Sequence, residues 1–274
     1  MDISVLIDNR AGTSGLAWEH GLSLCFQSDG LLWLFDTGAS GKFADNAEKT
    51  GINIGNIDNL ILSHGHNDHT GGLRRFAEIN RHAPIHLSCN IEGKRYFSCR
   101  KEKREIGMNP ILFERLKPRF HFITESRMLT ENTGIIVNHT HHYPTPSANR
   151  TLTVQEGNRE QFDSFDHEIS LIINHKKGWI VLSACSHAGI LNILDSCRSF
   201  TGNGKIQAFI GGTHIADNFE TDNEIRQIAE TIKNEYPSLE LYTGHCTGDH
   251  AVSVLSEILR SQFHLFNTGM KIHL

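Results

Sequence analysis

Apolar residues in the first third of the chain recur in short runs between glycines, a pattern that predicts β-strands joined by tight turns. The clearest case is "GLSLCFQSDGLLWLFDTG", which divides into two strands at Ser28-Asp29-Gly30 and predicts a hairpin. Further strands are predicted in residues 3–9, 57–65 and 83–88, and short helices in residues 41–51 and 71–82. This part of the chain is therefore expected to be rich in β-sheet.

The second half of the chain alternates between strand and helix patterns. "HEISLIINHKKGWIVLSACS" predicts two strands around the turn Lys176-Lys177-Gly178. After it come a helix in 189–200, a strand in 205–214, a helix in 223–237, a strand in 239–246, a helix in 251–263 and a last strand in 264–274. Early hairpins and late alternation predict an α/β protein with two mixed sheets covered by helices, in one domain that spans residues 1–274.

Residues 90–118 differ from the rest, because they are rich in lysine and arginine and have no clear period. We predict a basic insertion or mobile lid, whose arginines would meet an anionic substrate. The alternative is a solvated, charged surface loop, which such composition often forms.

Composition narrows the class of protein. The chain has 274 residues, 38% of them hydrophobic and 21% charged, as in ordinary globular proteins. The net charge of -5 argues against nucleic acid as a partner. Six cysteines occur without a CxxC pair, which favours free thiols in a reducing compartment. No signal peptide or membrane-spanning run is apparent, so we predict a cytoplasmic protein that acts on a small molecule and does not contact a membrane.

Three histidines and an aspartate fall within six residues of "ILSHGHNDHTGG". Because alternate residues of an extended turn point the same way, His64 and His66 can bind one metal ion, while Asp68 and His69 face a second. Imidazole with carboxylate suits zinc, iron(II) or manganese(II). Two such ions close together can activate a water molecule at neutral pH, so the loop predicts metal-dependent chemistry.

"LILSHGHNDHTGG" resembles the signature of the metallo-β-lactamase superfamily, and "LFDTG", residues 34–38, resembles the acidic motif that precedes it there. The resemblance extends over essentially the whole chain. It implies an αββα sandwich with the metals at the edge where the two sheets meet. "SACSHAGILNIL", "GGTHI" and "GHCTG" together resemble the subgroup named after dihydropterin ribofuranosylaminobenzene phosphate synthase, most of whose members are called metal-dependent hydrolases.

The resemblance also implies later ligands, from loops that follow strands. It assigns His187 as third ligand of the first metal and His245 as third ligand of the second. His214 falls where many members of the family carry a bridging aspartate, and the nearest aspartate in this chain is Asp217. We therefore predict that His214 binds substrate or donates a proton, with Cys185 as a further candidate near the metals.

Other polar groups have less specific patterns. Asp36 is expected to orient ligands or loops without touching a metal. The histidines of "NHTHHY", residues 138–143, favour a surface or pocket-wall role over a third metal site. Asp166 and Glu168 favour an exposed strand start over a catalytic carboxylate pair.

The function predicted from these features is that of a hydrolase with one or two divalent metal ions. Zinc is favoured, with iron or manganese as alternatives. Asp68 would hold one metal and orient the nucleophile, and His214 would protonate the leaving group of a small, phosphate-bearing substrate. Three alternatives stay open: a transferase like the synthase that names the subgroup, a catalytically silent metal-binding module, and a diiron reductase, which Asn67 disfavours because those relatives carry Glu there.

Overall fold

The computed structural model describes all 274 residues, Met1–Leu274, and they form two compact units. The first unit contains residues 1–124, 151–169 and 267–274, and the second contains residues 125–150 and 170–266. The longest helix has 14 residues, and no helix has both the length and the apolar composition needed to cross a bilayer.

Strands and helices alternate along the chain. The strands are β1 Asp2–Ile7, β2 Ser23–Ser28, β3 Leu31–Phe35, β4 Asn59–Ile61, β5 Ile85–Ser88, β6 Lys94–Ser98, β7 Arg104–Glu105, β8 Phe120–Ile123, β9 Arg127–Met128, β10 Thr133–Ile136, β11 Leu152–Glu156, β12 Arg159–Phe162, β13 Ser170–His175, β14 Gly178–Ser183, β15 Ile206–Gly211, β16 Glu240–Thr243, β17 Phe263–Leu265 and β18 Lys271–His273. The α-helices are α1 Lys42–Lys49, α2 Asn67–Thr70, α3 Leu73–Ile79, α4 Pro110–Leu116, α5 Ile190–Phe200, α6 Asp222–Glu235 and α7 Asp249–Leu259. The predicted α/β class is confirmed.

The first unit is built on a mixed seven-stranded sheet in the order β18-β1-β2-β3-β4-β5-β8. Its β2–β3 hairpin is the predicted one, and Asp29 and Gly30 at the turn both have positive φ, 53° and 74°, as a type I′ turn requires. Within this sheet, the four neighbouring strands β3, β4, β5 and β8 are parallel. The carboxyl ends of these strands therefore share one edge, and the loop after β4 that carries His64 leaves from it.

The basic segment 90–118 folds largely into regular structure within the first unit. Strand β6 pairs with β11 and β7 in a four-stranded sheet of the order β12-β11-β6-β7, and α4 follows. Its charges are partly paired, since Arg95 bonds Glu105 at 2.6 Å and Lys94 bonds Asp166 at 3.0 Å. The β11–β12 hairpin was not predicted, because apolar alternation in β11 extends only from Leu152 to Val154 and β12 is exposed throughout. The lid role of the segment stays a prediction.

The second unit has its own seven-stranded sheet, in the order β17-β16-β15-β14-β13-β10-β9. The predicted β13–β14 hairpin turns at Lys176 and Lys177, and β14 to β17 are parallel. A large apolar cluster joins this sheet to α5, α6 and α7, with Phe209, Leu194 and Leu255 fully buried. The carboxyl ends of four parallel strands thus lie side by side, and the loops after β14, β15 and β16 leave from this edge.

The prediction of a single last strand over 264–274 is wrong. The segment holds two strands: β17 pairs with β16 in the second unit, and β18 pairs with β1 in the first. Between them Gly269 has φ 88°, a conformation that interrupts an extended strand. Thr268 instead bonds the backbone of Asp8, accepting from its N–H at 3.0 Å. Apolar alternation alone does not reveal this break.

Asn46, on the buried face of α1, fastens that helix to two distant segments. Its Nδ2 donates to the carbonyl oxygens of Leu6 at 2.7 Å and Ala17 at 2.6 Å, and its Oδ1 accepts from Ala17 N at 2.9 Å.

We predict that Asn46→Ala lowers the free energy of unfolding by about 3 kcal/mol, because buried backbone groups lose their partners. Urea unfolding monitored by circular dichroism measures this, with the exposed Glu48→Ala on the same helix as control. Equal stability of the two variants would contradict the prediction.

Candidate metal centre

The histidine loop of the first unit begins at His64, three residues after the end of β4. His66 is the residue before the first turn of α2, and Asp68 lies in that turn, where a negative charge suits the helix dipole. His64 Nε2 and His66 Nδ1 face each other at 3.0 Å. His69 Nε2 and Asp68 Oδ2 lie 3.4 Å apart. These are the two pairs that the spacing predicted, and each brings its donor atoms together within the unit.

Asp36 positions the histidine loop through hydrogen bonds to Ser63 and His69. It follows β3, has φ 60° and is fully buried. Its Oδ1 accepts from the backbone N–H of Ser63 at 2.8 Å. Its Oδ2 accepts from the Ser63 hydroxyl at 2.7 Å and from His69 Nδ1 at 2.8 Å. The carboxylate therefore fixes the ring of His69 and leaves Nε2 as its outward nitrogen, the orienting role predicted for Asp36.

Protonation states follow from burial and neighbouring charge. Burial lowers the pKa of His66 to about 3, and burial with neighbouring histidines lowers the pKa of His64 well below its usual range. Both rings are therefore neutral, the form that binds metals. Burial also lowers the pKa of His69, but the carboxylates of Asp68 and Asp36 outweigh it and raise that pKa to about 10. The two carboxylates thus make this end of the loop attractive to a cation.

Gly65 separates the two paired histidines for a steric reason. A Cβ at this position would lie 2.5 Å from Cε2 of the buried Tyr96 ring. The Gly65 N–H donates to His167 Nδ1 at 3.2 Å, and His167 Nε2 donates to Asp163 Oδ2 at 3.1 Å. Burial raises the pKa of Asp163, but the hydrogen bond from His167 outweighs it and holds that pKa below its usual range. Sequence analysis missed this supporting pair, which lies about 100 residues downstream and carries no motif.

In the second unit, the loops after β14, β15 and β16 carry His187, His214 and His245. Because these strands are parallel, the three loops leave from one edge of the sheet. His214 and His245 both have positive φ, 53° and 48°. Such a backbone costs free energy for a non-glycine residue and is concentrated at functional sites. The placement agrees with the predicted origin of the later ligands.

The side chains at this edge form a cluster of nitrogen and sulfur atoms. The rings of His187 and His214 have centroids 4.1 Å apart, and Cys185 Sγ lies 3.3 Å from His245 Nε2. Donor atoms of Cys185, His214 and Cys246 lie within 4.8 Å of one another. Both ring nitrogens of His214 are buried and make no hydrogen bond. Buried nitrogens of this kind need a partner, which either a substrate or a metal ion would supply, and the other nitrogen and sulfur atoms at this edge fit a soft or borderline divalent metal.

Asn149 positions His187. Its Oδ1 lies 3.0 Å from His187 Nδ1, and its Nδ2 donates to the His187 carbonyl oxygen at 2.8 Å. The two bonds hold both the ring and the backbone, so that Nε2 is the nitrogen left to bind a metal. Asn149 lies in a short 3₁₀ helix, Ser147–Thr151, that has no recognisable sequence pattern, and it was not predicted.

Comparison with known proteins agrees with this geometry. A model of the metallo-beta-lactamase superfamily matches residues 18–147. A protein of Methanocaldococcus jannaschii named 7,8-dihydropterin-6-methyl-4-(beta-D-ribofuranosyl)-aminobenzene-5'-phosphate synthase is 32% identical over 283 residues, which cover 97% of this chain and 94% of the relative. This chain belongs to the metallo-β-lactamase superfamily.

Solved structures of the superfamily share the fold. A crystal structure of a metal-dependent hydrolase of the beta-lactamase superfamily matches with a TM-score of 0.85 and 27% identity, over 100% of this chain and 99% of that one. The short form of human tRNase Z matches with a TM-score of 0.56 and 14% identity, over 100% and 99% of the two chains, and shows the fold alone. The superfamily typically binds divalent metals, and His, Asp and Cys clusters suited to them are present in both units.

Asp217, the carboxylate nearest to the position where many superfamily members carry a bridging aspartate, has another task. It caps α7, accepting from the backbone N–H groups of His250 at 3.0 Å and Asp249 at 3.3 Å. The group that contacts the backbone of His214 is Cys246, whose sulfur accepts a hydrogen bond from the backbone N–H of His214 at 3.3 Å. Burial raises the pKa of Cys246, but its contacts with Cys185, His245 and His214 lower it well below the usual range. Cys246, which sequence analysis did not propose, therefore offers a thiolate.

The remaining polar groups lie apart from these clusters. His139 is buried, with Nε2 3.2 Å from the Ser170 hydroxyl, whereas His142 is exposed and bonds Asp195 at 2.8 Å; the preference for a surface or pocket-wall role stays a prediction. Asp166 is exposed, as expected, but Glu168 is buried, and both precede β13, so neither is at a strand start. A turn closed by the Glu168 N–H on the Phe165 carbonyl reorients the chain there.

The role of Asn149 can be tested by metal affinity. We predict that Asn149→Ala weakens zinc binding by about 10- to 100-fold, because the ring of His187 loses the bond that orients it. Competition with a chromophoric chelator measures the affinity, and Asn234→Ala, an exposed position on α6, is the control. Unchanged affinity in a folded Asn149→Ala protein would show that His187 needs no such support.

Proposed function

We propose that this protein is a metal-dependent hydrolase that acts on a small, phosphate-bearing molecule. The observation that carries the proposal is the pair of donor clusters at strand ends, one in each unit, in a chain of a superfamily that binds divalent metals. The assignment of ligands follows the sequence resemblance. His64, His66 and His187 hold one ion, and Asp68, His69 and His245 hold the other.

The contacts within the first unit support this assignment. His64 and His66 are neutral and turn ring nitrogens toward each other, and Asp68 and His69 do the same with an oxygen and a nitrogen. When bound, divalent ions supply Lewis acidity that activates water and polarises the bond to be broken. Zinc is the first candidate for a set of imidazoles with one carboxylate, with iron or manganese as alternatives.

Two side chains of the chain itself are given roles in proton transfer. Asp68 is 14% exposed and lies 3.3 Å from His20 Nε2, so its carboxylate can orient a water nucleophile and accept from it. His214 has two buried ring nitrogens without a hydrogen bond, so its ring can hold a proton for the leaving group.

A transferase is the second candidate function. It is favoured by the relative named as a ribofuranosylaminobenzene phosphate synthase, which this chain matches over 94% of its length. The name of this relative includes a 5'-phosphate, which also supports a phosphate-bearing substrate for this chain. In a transferase, the same residues would hold the metals, and an aromatic acceptor would take the place of water.

Product analysis separates the two functions. The zinc-loaded protein is incubated in ¹⁸O-labelled water with a phosphoribosyl donor, with and without an aminobenzene acceptor. A hydrolase gives a product that carries ¹⁸O in both cases, whereas a transferase gives a conjugate only when the acceptor is present. Absence of both products across a panel of phosphate esters would favour a silent metal-binding module.

Metal stoichiometry tests the first site. We predict that His66→Ala lowers bound metal by about one equivalent per chain and abolishes activity, because an imidazole ligand is lost. Elemental analysis after dialysis gives the stoichiometry, and His82→Ala, an exposed histidine, is the control. Full metal content in His66→Ala would contradict the assignment.

Turnover tests His214. We predict that His214→Ala keeps its metal and its fold but lowers turnover on the order of 100-fold, because the leaving group loses its proton donor. Steady-state kinetics with elemental analysis on the same sample measures both quantities. Loss of one metal equivalent would show that His214 is a ligand, and full activity with full metal would show that it is structural.

A further inference from the structure

A separate cavity lies wholly within the second unit. It encloses about 210 Å³ between residues 143–147, the start of α5, and α6. Its wall is largely apolar, formed by Tyr143, Pro146, Leu191, Ile215 and Ile228 among others. An engineered protein cavity of about 150 Å³ is known to take up benzene, so this space is large enough for one six-membered ring.

One glycine allows the wall to close. Gly189 lines the cavity and has φ 91°, which a residue with a side chain rarely adopts. A Cβ there would lie 3.1 Å from the carbonyl oxygen of Pro144. The absence of a side chain therefore lets residues 143–147 pack against the start of α5.

One polar group in this wall is incompletely satisfied. Glu220 Oε1 accepts from the Ser147 N–H at 2.5 Å, which fixes the orientation of the carboxylate. Its Oε2 is buried and makes no hydrogen bond. A buried carboxylate oxygen without a donor is costly, so a ligand that supplied one would gain free energy at this point. The other acidic residue of the wall, Glu224, is already bonded to Thr221 in the capping box of α6.

We propose that this cavity binds a compact, cyclic, apolar molecule that bears a protonated amine. The ring would occupy the apolar wall, and the amine would donate to Glu220 Oε2 in a charge-assisted hydrogen bond. Because Gly189 and Thr213 line the cavity, its ligand would lie against the loops that carry His187 and His214. The inference does not rest on the proposed function, since binding here needs neither metal nor turnover.

Binding of three probes of similar size tests the charge that the cavity selects. Benzylamine, benzyl alcohol and benzoate are titrated into the full-length, metal-free protein and followed by amide chemical shifts. We expect benzylamine to bind most tightly, with shifts concentrated at residues 189–191 and 220–228, and benzoate not to bind there. Tighter binding of benzoate would show that backbone N–H groups at the start of α5 select the ligand, and would overturn the proposal.

Two variants test the residues. Glu220→Gln keeps an oxygen for the Ser147 N–H but removes the charge, so we expect benzylamine to bind about tenfold more weakly. Ile228→Trp fills the cavity, so we expect it to abolish binding while circular dichroism remains unchanged. Glu230→Gln, an exposed position on the same helix, is the matched control. Equal affinity in Glu220→Gln and Glu230→Gln, or no binding of any probe to the parent protein, would overturn the inference.

Discussion

The buried carboxylate of Asp36 is the contact on which the histidine loop depends. A charge in a dry interior is tolerated only where hydrogen bonds replace water. Asp36 obtains three, two from Ser63 and one from His69. These same bonds fix the residue just before His64 and the ring of the last histidine of the loop. The free-energy requirement of one buried charge thereby determines the geometry of the loop.

The second unit reaches a comparable result without a buried carboxylate. There the parallel strands β14, β15 and β16 end at one edge, and hydrogen bonds between their loops hold the side chains. Thr247 is central, since its hydroxyl accepts from the Thr213 N–H at 3.0 Å and lies 2.7 Å from the Thr243 hydroxyl. Backbone strain at His214 and His245 is maintained by this network, because isolated residues would relax out of positive φ.

Sequence patterns predicted the parts that depend on local regularity. The two hairpins, the late strand–helix alternation and the spacing within the histidine loop were all legible, because periodicity and short-range turn chemistry determine them. Asn149, His167 and Cys246 were not, because each acts through contacts between residues far apart in the chain. Asp217 is the aspartate nearest to the position where many superfamily members carry a bridging ligand, and the structure shows that it caps α7. The break within residues 264–274 was missed because apolar residues stand on both sides of Asn267-Thr268-Gly269.

Gly65 has a consequence for how this loop can change over evolutionary time. Because Tyr96 packs against its backbone, position 65 accepts no side chain, and a single substitution there would be selected against. A larger residue becomes tolerable only after the aromatic ring at position 96 has been reduced. The two positions should therefore show sign epistasis, in which a change that is harmful alone becomes neutral in the company of the other. Residues about 30 apart in the chain are thus constrained to vary together, although only one of them belongs to the histidine motif.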